Sequence, residues 1–390
     1  MTSASHTTKF VGFGDPVLDI IAGPVSFDFL QSLDMHPGGC TSIDDAQAQR
    51  LCSALNTNAG TNKDTITITK VPGGSAANVM KVLGALIHAN SASTGIGTAT
   101  DMLPHPFSFN VAFMGMIGQD QAGDEYRAML ESHHVHPLLL VSDATVATAA
   151  TASCYCFITP DGQRTMRTYL GAAQHLTSPQ QVPSSMLETI LDHRLHASPT
   201  LPPTPSPLYI HFEGYTSYKP QVTEHILRLA KQHNIPVSLD LASFEVVKGN
   251  WEVVRGWLEA GFISILFCNQ DEVKALEECI NHFSVEKYLA QYVDVLVMTR
   301  GAEGSEAFQS STGCRAFAPA ERVTSIEDTV GAGDYFAGGF LYAWGYRGGS
   351  LQQSCACGNA AGAAAVRAVG ANVGKEEMER LIEKMETILT

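Results

Sequence analysis

The chain alternates short apolar, β-branched runs with longer stretches of helical period, and this alternation constrains its fold more than any single motif. Lys9–Gly12, Asn110–Ile117, Leu208–Phe212, Pro236–Asp240, Ile263–Cys268 and Val293–Met298 read as strands. Gly74–Ala89, Gln121–Ser132, Pro220–His233 and the C-terminal third from Ala332 onward read as helices. Strands joined by helical crossovers pair in parallel, and a parallel sheet must be covered on both faces. The expectation is an α/β chain, a three-layer α/β/α sandwich with a mostly parallel central sheet, spanning 1–390 as one domain.

One region departs from the pattern. Ala149–Ile158 and Arg164–Tyr169 flank the turn Thr159-Pro160-Asp161-Gly162 and read as a hairpin. An antiparallel ribbon in such a chain predicts a small β-sheet lid, drawn from approximately residues 20–70 and 138–170. Gly38–Asn62, with a helical piece at Asp44–Leu55, and the polar Ala89–Asn110 read as insertions. Pro199–Pro207 holds five prolines in nine residues and reads as an extended linker.

Charge and composition exclude several functions. Lys and Arg number 24 against 39 Asp and Glu, a net charge of −15 that repels a polyanion, so no nucleic-acid partner is expected. Apolar runs such as Phe262–Phe267 fall far short of the roughly 18 residues of a bilayer span, so no membrane partner is expected. MTSASHTTKF lacks an apolar signal core, and the nine cysteines contain no CxxC pair. A cytoplasmic location follows as the expectation, with an organellar leader left open. His133-His134-x-His136 lies between a helix and a strand without a nearby Cys or acidic ligand and reads as loop histidines.

Two glycine-rich segments carry the chemistry. In Asp328-Thr329-Val330-Gly331-Ala332-Gly333-Asp334, small residues run straight into a helical pattern. Gly331, Ala332 and Gly333 would then present free N–H groups at a helix N-terminus, an anion site, with an aspartate placed to accept a hydroxyl proton. Taken alone, Asp328 or Asp334 could equally be a helix cap. Val71-Pro72-Gly73-Gly74-Ser75-Ala76-Ala77-Asn78 also leads from a strand into a helix, and by itself is as consistent with a tight packing turn. No G-x-x-x-x-G-K-[ST] occurs, and Val17 stands where a dinucleotide fingerprint after Gly12-x-Gly14 needs its third glycine.

The two segments, in this order and about 250 residues apart, resemble the phosphofructokinase B (PfkB) family of carbohydrate and nucleoside kinases, with its ribokinase-like fold. The resemblance implies that Asp334 is the catalytic base and that Gly331, Ala332 and Gly333 form the anion hole for the γ-phosphoryl of ATP. Asn269-Gln270-Asp271-Glu272 is similar to the family's N-x-x-E, which implies that Asn269 and Glu272 position Mg²⁺, largely through water. Thr299, Gly301 and Gly304 resemble a nucleotide-binding T-x-G-x-x-G, Asn359 matches a position near the adenine, and Asp328 falls among the cofactor-binding residues. On the substrate side the resemblance implies Asp15, Asp19, Gly73, Gly74, Asn78 and Glu213. It also implies a lid arginine, Arg164 or Arg167, with Arg167 retained among the substrate contacts. A monovalent cation is an activator the family admits, without ligands that can be named here.

More than fifty residues separate Asp19 from Gly73, as in adenosine kinases, and Ser75 replaces the lysine typical of ribokinases. Asp15 departs from the asparagine common in adenosine kinases. The favoured substrate is a ribonucleoside, phosphorylated at its 5′-hydroxyl. The alternatives are a free sugar and a non-catalytic ligand-binding member. Monomer and homodimer both remain open.

Overall fold

A computed structural model describes residues 8–58, 66–94, 109–142, 149–191, 207–280 and 284–390. The described strands, in chain order, are β1 (Lys9–Phe13), β2 (Val17–Gly23), β3 (Cys40–Ser42), β4 (Thr67–Pro72), β5 (Val111–Ile117), β6 (His136–Val141) and β7 (Ala152–Ile158). They continue with β8 (Arg164–Tyr169), β9 (Leu208–Glu213), β10 (Val237–Asp240), β11 (Ile265–Asn269), β12 (Val295–Thr299), β13 (Gly304–Gln309) and β14 (Cys314–Pro319).

Nine of them form one sheet in the order β14-β13-β12-β11-β10-β9-β1-β5-β6. Every pairing from β6 to β12 is parallel, and antiparallel pairing is confined to β12–β13 and β13–β14 at one edge. The strand β5, Val-Ala-Phe-Met-Gly-Met-Ile, is buried along its whole length, as a parallel strand covered on both sides must be. Its residues alternate between two cores. Val111 and Phe113 pack under helices Ser75–Thr94, Ala332–Leu341 and Leu351–Ala365, while Ala112, Met114 and Met116 belong to the core shared with Pro220–Gln232 and Phe244–Glu259. The three-layer α/β/α expectation holds. Among the described residues no helix is long and apolar enough to cross a membrane.

The second sheet has the order β3-β8-β7-β2-β4, with the expected hairpin at β7–β8. Two boundaries differ from the expectation. Residues 138–141, placed in the lid from sequence, belong to β6 at the edge of the main sheet. The lid, expected to begin near residue 20, already begins with the strand Val17–Gly23, which lies inside the small sheet with Asp19 in register with Val71 and Cys154. One face of this sheet has its own core: Tyr155, Phe157 and Tyr169 pack beneath Leu30 of helix Phe27–Ser32 and Leu51 and Leu55 of helix Asp45–Asn58. The Pro-rich 199–206 and the stretch 95–108 lie outside the described residues.

Candidate active site

The glycine pair begins the site. Tyr126 donates its hydroxyl to the Gly73 carbonyl (2.8 Å), and the Gly73 N–H donates to Val17 (2.8 Å), so the turn after β4 is held on both sides. A methyl group at Gly73 would overlap the Asp19 carboxylate, which lies directly over that Cα. Burial pushes Asp19 up to about 7, opposed by Lys81 and reinforced by the charges of Asp334 and Asp328. At the end of β9, Glu213 accepts from the Asp15 N–H through one oxygen and from the Ala76 N–H through the other (both 3.2 Å). Burial, and then the charge of Asp15, push Glu213 up to about 8. Asp15 itself pairs with the buried Lys219, a residue that sequence reasoning did not single out.

The C-terminal loop meets this turn. Gly331 is the N-cap of helix Ala332–Leu341 and sits at φ 76°, with Asp334 in the first turn. Ser75 donates to Asp334 Oδ1 (2.7 Å) and Asn78 donates to Oδ2 (2.8 Å), which joins residues 259 and 256 positions apart. Burial raises the Asp334 carboxyl, while these two bonds and the Lys81 charge restrain the rise. Two acceptor sites remain on the carboxylate. The Asn78 Oδ1 is buried with no donor among the described residues. A side chain at Gly333 would meet nothing within 4 Å, so the loop opens onto free space.

The small sheet contributes Arg164, whose guanidinium lies 2.6 Å from Asp328. Asp328 also accepts from the N–H groups of Val330 (2.8 Å) and Gly370 (2.7 Å). The aspartate expected among the nucleotide-binding residues is thus committed to the protein itself. Arg167 is placed elsewhere: it pairs across from Tyr155, on the strand face packed under the two helices, and donates to the Met166 carbonyl (2.8 Å). Three positions along a strand reverse the side-chain face, which separates the two arginines. Replacing Arg164 with Met leaves a buried carboxylate without its cation and should cost about 3 kcal/mol. The readout is the urea midpoint; an unchanged midpoint would show that the pair carries no stability.

At the end of β11, Asn269 and Glu272 form a closed capping box. Asn269 Oδ1 accepts from the N–H groups of Asp271 and Glu272 (both 2.9 Å), and Glu272 accepts from the Asn269 backbone (2.8 Å) and side chain (2.7 Å). Burial pushes Glu272 up to about 7. Asp240, which ends β10 and went unread in the sequence, is pushed well up by burial and then by the Glu272 charge, and it also feels Asp334. The available signal was an acid closing the apolar run Pro236–Asp240. Two buried carboxylates, with the Glu272 charge raising Asp240, form a donor set a hard divalent cation would relieve, so these residues fit Mg²⁺. Among the described residues no three His, Cys, Asp or Glu side chains converge as a ready-made cage.

The other expected nucleotide residues lie along the neighbouring strands. Thr299 is in register with Asn269, and Gly301 and Gly304 follow it in the turn to β13. Asn359 donates to the carbonyls of Ala318 (2.9 Å) and Pro319 (3.1 Å), anchoring the end of β14. Of the histidine triplet, His134 stacks on His88 (3.6 Å between ring centroids) and His136 on Phe109 (5.5 Å).

With this geometry, the chain belongs to the pfkB family of carbohydrate kinases, whose sequence model matches residues 40–378. The family's members are phosphotransferases with an alcohol group as acceptor. A nucleoside kinase of Methanocaldococcus jannaschii is 28% identical over 123 residues, 32% of this chain; the match spans 39% of the length of that curated relative. The fold is shared with a probable sugar kinase from Rhizobium etli CFN 42 (TM-score 0.72, 24% identity, 97% of this chain and 98% of that one). It is also shared with the adenosine kinase of Sinorhizobium meliloti (TM-score 0.72, 22% identity, 97% and 99%). A third likeness is to adenosine kinase from Schistosoma mansoni in complex with 2-fluoroadenosine (TM-score 0.72, 18% identity, 94% and 98%).

Proposed function

We propose that the protein transfers the γ-phosphoryl group of ATP to the 5′-hydroxyl of a ribonucleoside. The observation that carries this reading is the Asp334 carboxylate at a helix N-terminus, held through both oxygens by Ser75 and Asn78, with Asp19 and Glu213 lining the same turn. Asp19, Asp15 and Glu213 supply acceptors for ribose hydroxyls, and the unpartnered Asn78 Oδ1 is one more. Asp334 takes the proton from the primary hydroxyl while its oxygen forms the new bond to the γ-phosphorus; the bond from that phosphorus to the β–γ bridging oxygen breaks, and ADP leaves with the electron pair. Gly331, Ala332 and Gly333 offer backbone N–H groups to the charge on the transferring group. Mg²⁺, when held by Asn269, Glu272 and Asp240 together with phosphate oxygens and water, supplies further charge neutralisation there. Arg164, tied to Asp328, links the small sheet to the anion loop, which suits a lid that excludes water over bound substrate.

A nucleoside is favoured over a free sugar by the nucleoside and adenosine kinases among the similar proteins, and by the insertion that builds two helices over the small sheet. The sugar reading draws on the three acidic side chains around Asp15 and on the probable sugar kinase among the structural likenesses. A screen of ADP release across ribonucleosides, ribose and fructose separates them. Turnover of a nucleoside is the expected result; turnover confined to free sugars would replace the substrate assignment, and tight binding without ADP release would remove the enzymatic one.

A further inference from the structure

Lys81 has no part in the scheme above, yet it lies beneath it. It sits in Val79-Met80-Lys81-Val82-Leu83, a lone charge in an apolar run, and is 1% exposed. Helix Ser75–Thr94 directs Ser75 and Asn78 to Asp334 and, one turn beyond Asn78, directs Lys81 inward. The ammonium donates to the carbonyl of Pro72 (2.5 Å), the residue just before the glycine pair. One carbonyl is little compensation for a buried group with three donors.

The remaining compensation comes from two carboxylates on other elements. Lys81 is the leading charge that opposes the upward push of burial on Asp19 of β2, and it opposes the same push on Asp334 of helix Ala332–Leu341. Both aspartates in turn oppose the burial that pulls Lys81 down to about 8. Two more buried acids feel the Asp334 charge, Glu213 at the end of β9 and Asp240 at the end of β10, and burial pushes both up; the remaining groups nearby are neutral or paired. His133, just past helix Gln121–Ser132, is pulled down to about 4 by burial and then by Lys81. The Tyr126 phenol is pushed up by burial and donates to Gly73. Arg164 and Asp328 act on Asp19 with opposite signs and are committed to each other.

We propose that Lys81 is a positioning residue for the phosphoryl transfer: from beneath the glycine turn, its ammonium keeps Asp19 and Asp334 ionised together, so that one binds a substrate hydroxyl while the other accepts a proton. The inference rests on the kinase reading. Two carboxylates that feel one another in a low-dielectric site tend to share a proton, and a protonated Asp334 accepts nothing. Lys81 lets the chain place both acids in one buried pocket.

The test is the pH dependence of kcat/KM in the full-length protein, with native enzyme beside Lys81→Met and Lys81→Gln. Removing the ammonium raises the pKa of both acids, so the acid limb should move up by about one pH unit, with a loss of about tenfold near the native limb. Above about pH 9 both carboxylates ionise regardless, and the variants should recover to within about threefold of native. Glutamine keeps a donor for the Pro72 carbonyl without the charge, so it should shift the limb as methionine does. Asp19→Asn in the native background should move the limb the other way, and in the Lys81→Met background should return it toward the native position.

A loss of the same size at every pH would reduce Lys81 to a packing role, and an unshifted limb would overturn the proposal. If Lys81→Met does not fold, Lys81→Gln and the Asp19→Asn limb decide it alone. The two levels of inference fail differently. A native protein that turns over no nucleoside or sugar sinks the kinase reading and this inference with it, whereas native turnover with an unshifted limb sinks this inference alone.

Discussion

Asp334→Asn should lower kcat by about two to four decades, the range for loss of a positioned general base, while KM for the acceptor changes little. The substitution preserves shape. Only one partner has to adapt: either Ser75 rotates its hydroxyl to accept from the new amide nitrogen, or Asn78 turns its own amide to do so, while the other goes on donating to the carbonyl oxygen. Its effect on stability should run opposite to its effect on turnover. Burial raises the folded-state pKa of Asp334 above its unfolded value, so its contribution to stability is present at acid pH and is lost as pH rises through the folded pKa. At neutral pH the ionised carboxylate is therefore a cost that asparagine removes, and thermal denaturation at pH 7 should give a Tm no lower than that of the native protein. Near-native turnover in a folded variant would end the assignment of Asp334 as base. A fall in activity accompanied by a large loss of Tm would mean that the residue is mainly structural.

Gly331→Ala should be the other severe change, through geometry instead of charge. At φ 76° an alanine is strained by about 1–2 kcal/mol. Its methyl group would also overlap the Cβ of Ala371. Ala371 cannot retreat freely: it sits at φ 50°, and its carbonyl accepts the Tyr335 hydroxyl (3.0 Å). The loop must move instead, taking its N–H groups away from the position proposed for the transferring phosphoryl, and displacing even one such donor typically costs about 10²–10³ in kcat. Gly333→Ala is the informative control. Its methyl meets nothing within 4 Å, so the fold should be intact, while the group stands in the open space where a phosphoryl would sit. Stability lost only in Gly331→Ala, with kcat lowered in both, is the expected pair of results, measured by thermal melts and steady-state rates. Full activity in Gly331→Ala would show that the loop amides do not serve the reaction.

Much of the candidate site was legible because its parts are local. Two glycines leading into a helical pattern, after a strand at 71–78 and after a loop at 331–334, place backbone N–H groups at a helix end. The arginines were half readable. Arg164 and Arg167 both lie on the lid strand, and an odd spacing already requires opposite faces, but only the pairing of β8 with β7 shows which face carries the buried core and which reaches Asp328. Lys219, Lys81 and Asp240 gave weaker signals. Lys81 and Asp240 are single charges in or beside an apolar run, Lys219 lies in the polar Ser-Tyr-Lys-Pro-Gln, and the meaning of each depends on partners brought in from other elements.

The sequence by itself determined the layered parallel sheet, the hairpin and the two loops that define the family, because periodicity and glycine placement act over a few residues through backbone sterics and solvent exclusion. The tertiary structure decided the electrostatics. It placed Asp334 between Ser75 and Asn78 across more than 250 residues, committed Asp328 to Arg164 and Asp15 to Lys219, and set Lys81 beneath two acids. The physical reason is that a charge acquires its pKa and its partner from burial and sheet register, which exist only once the distant segments have packed together.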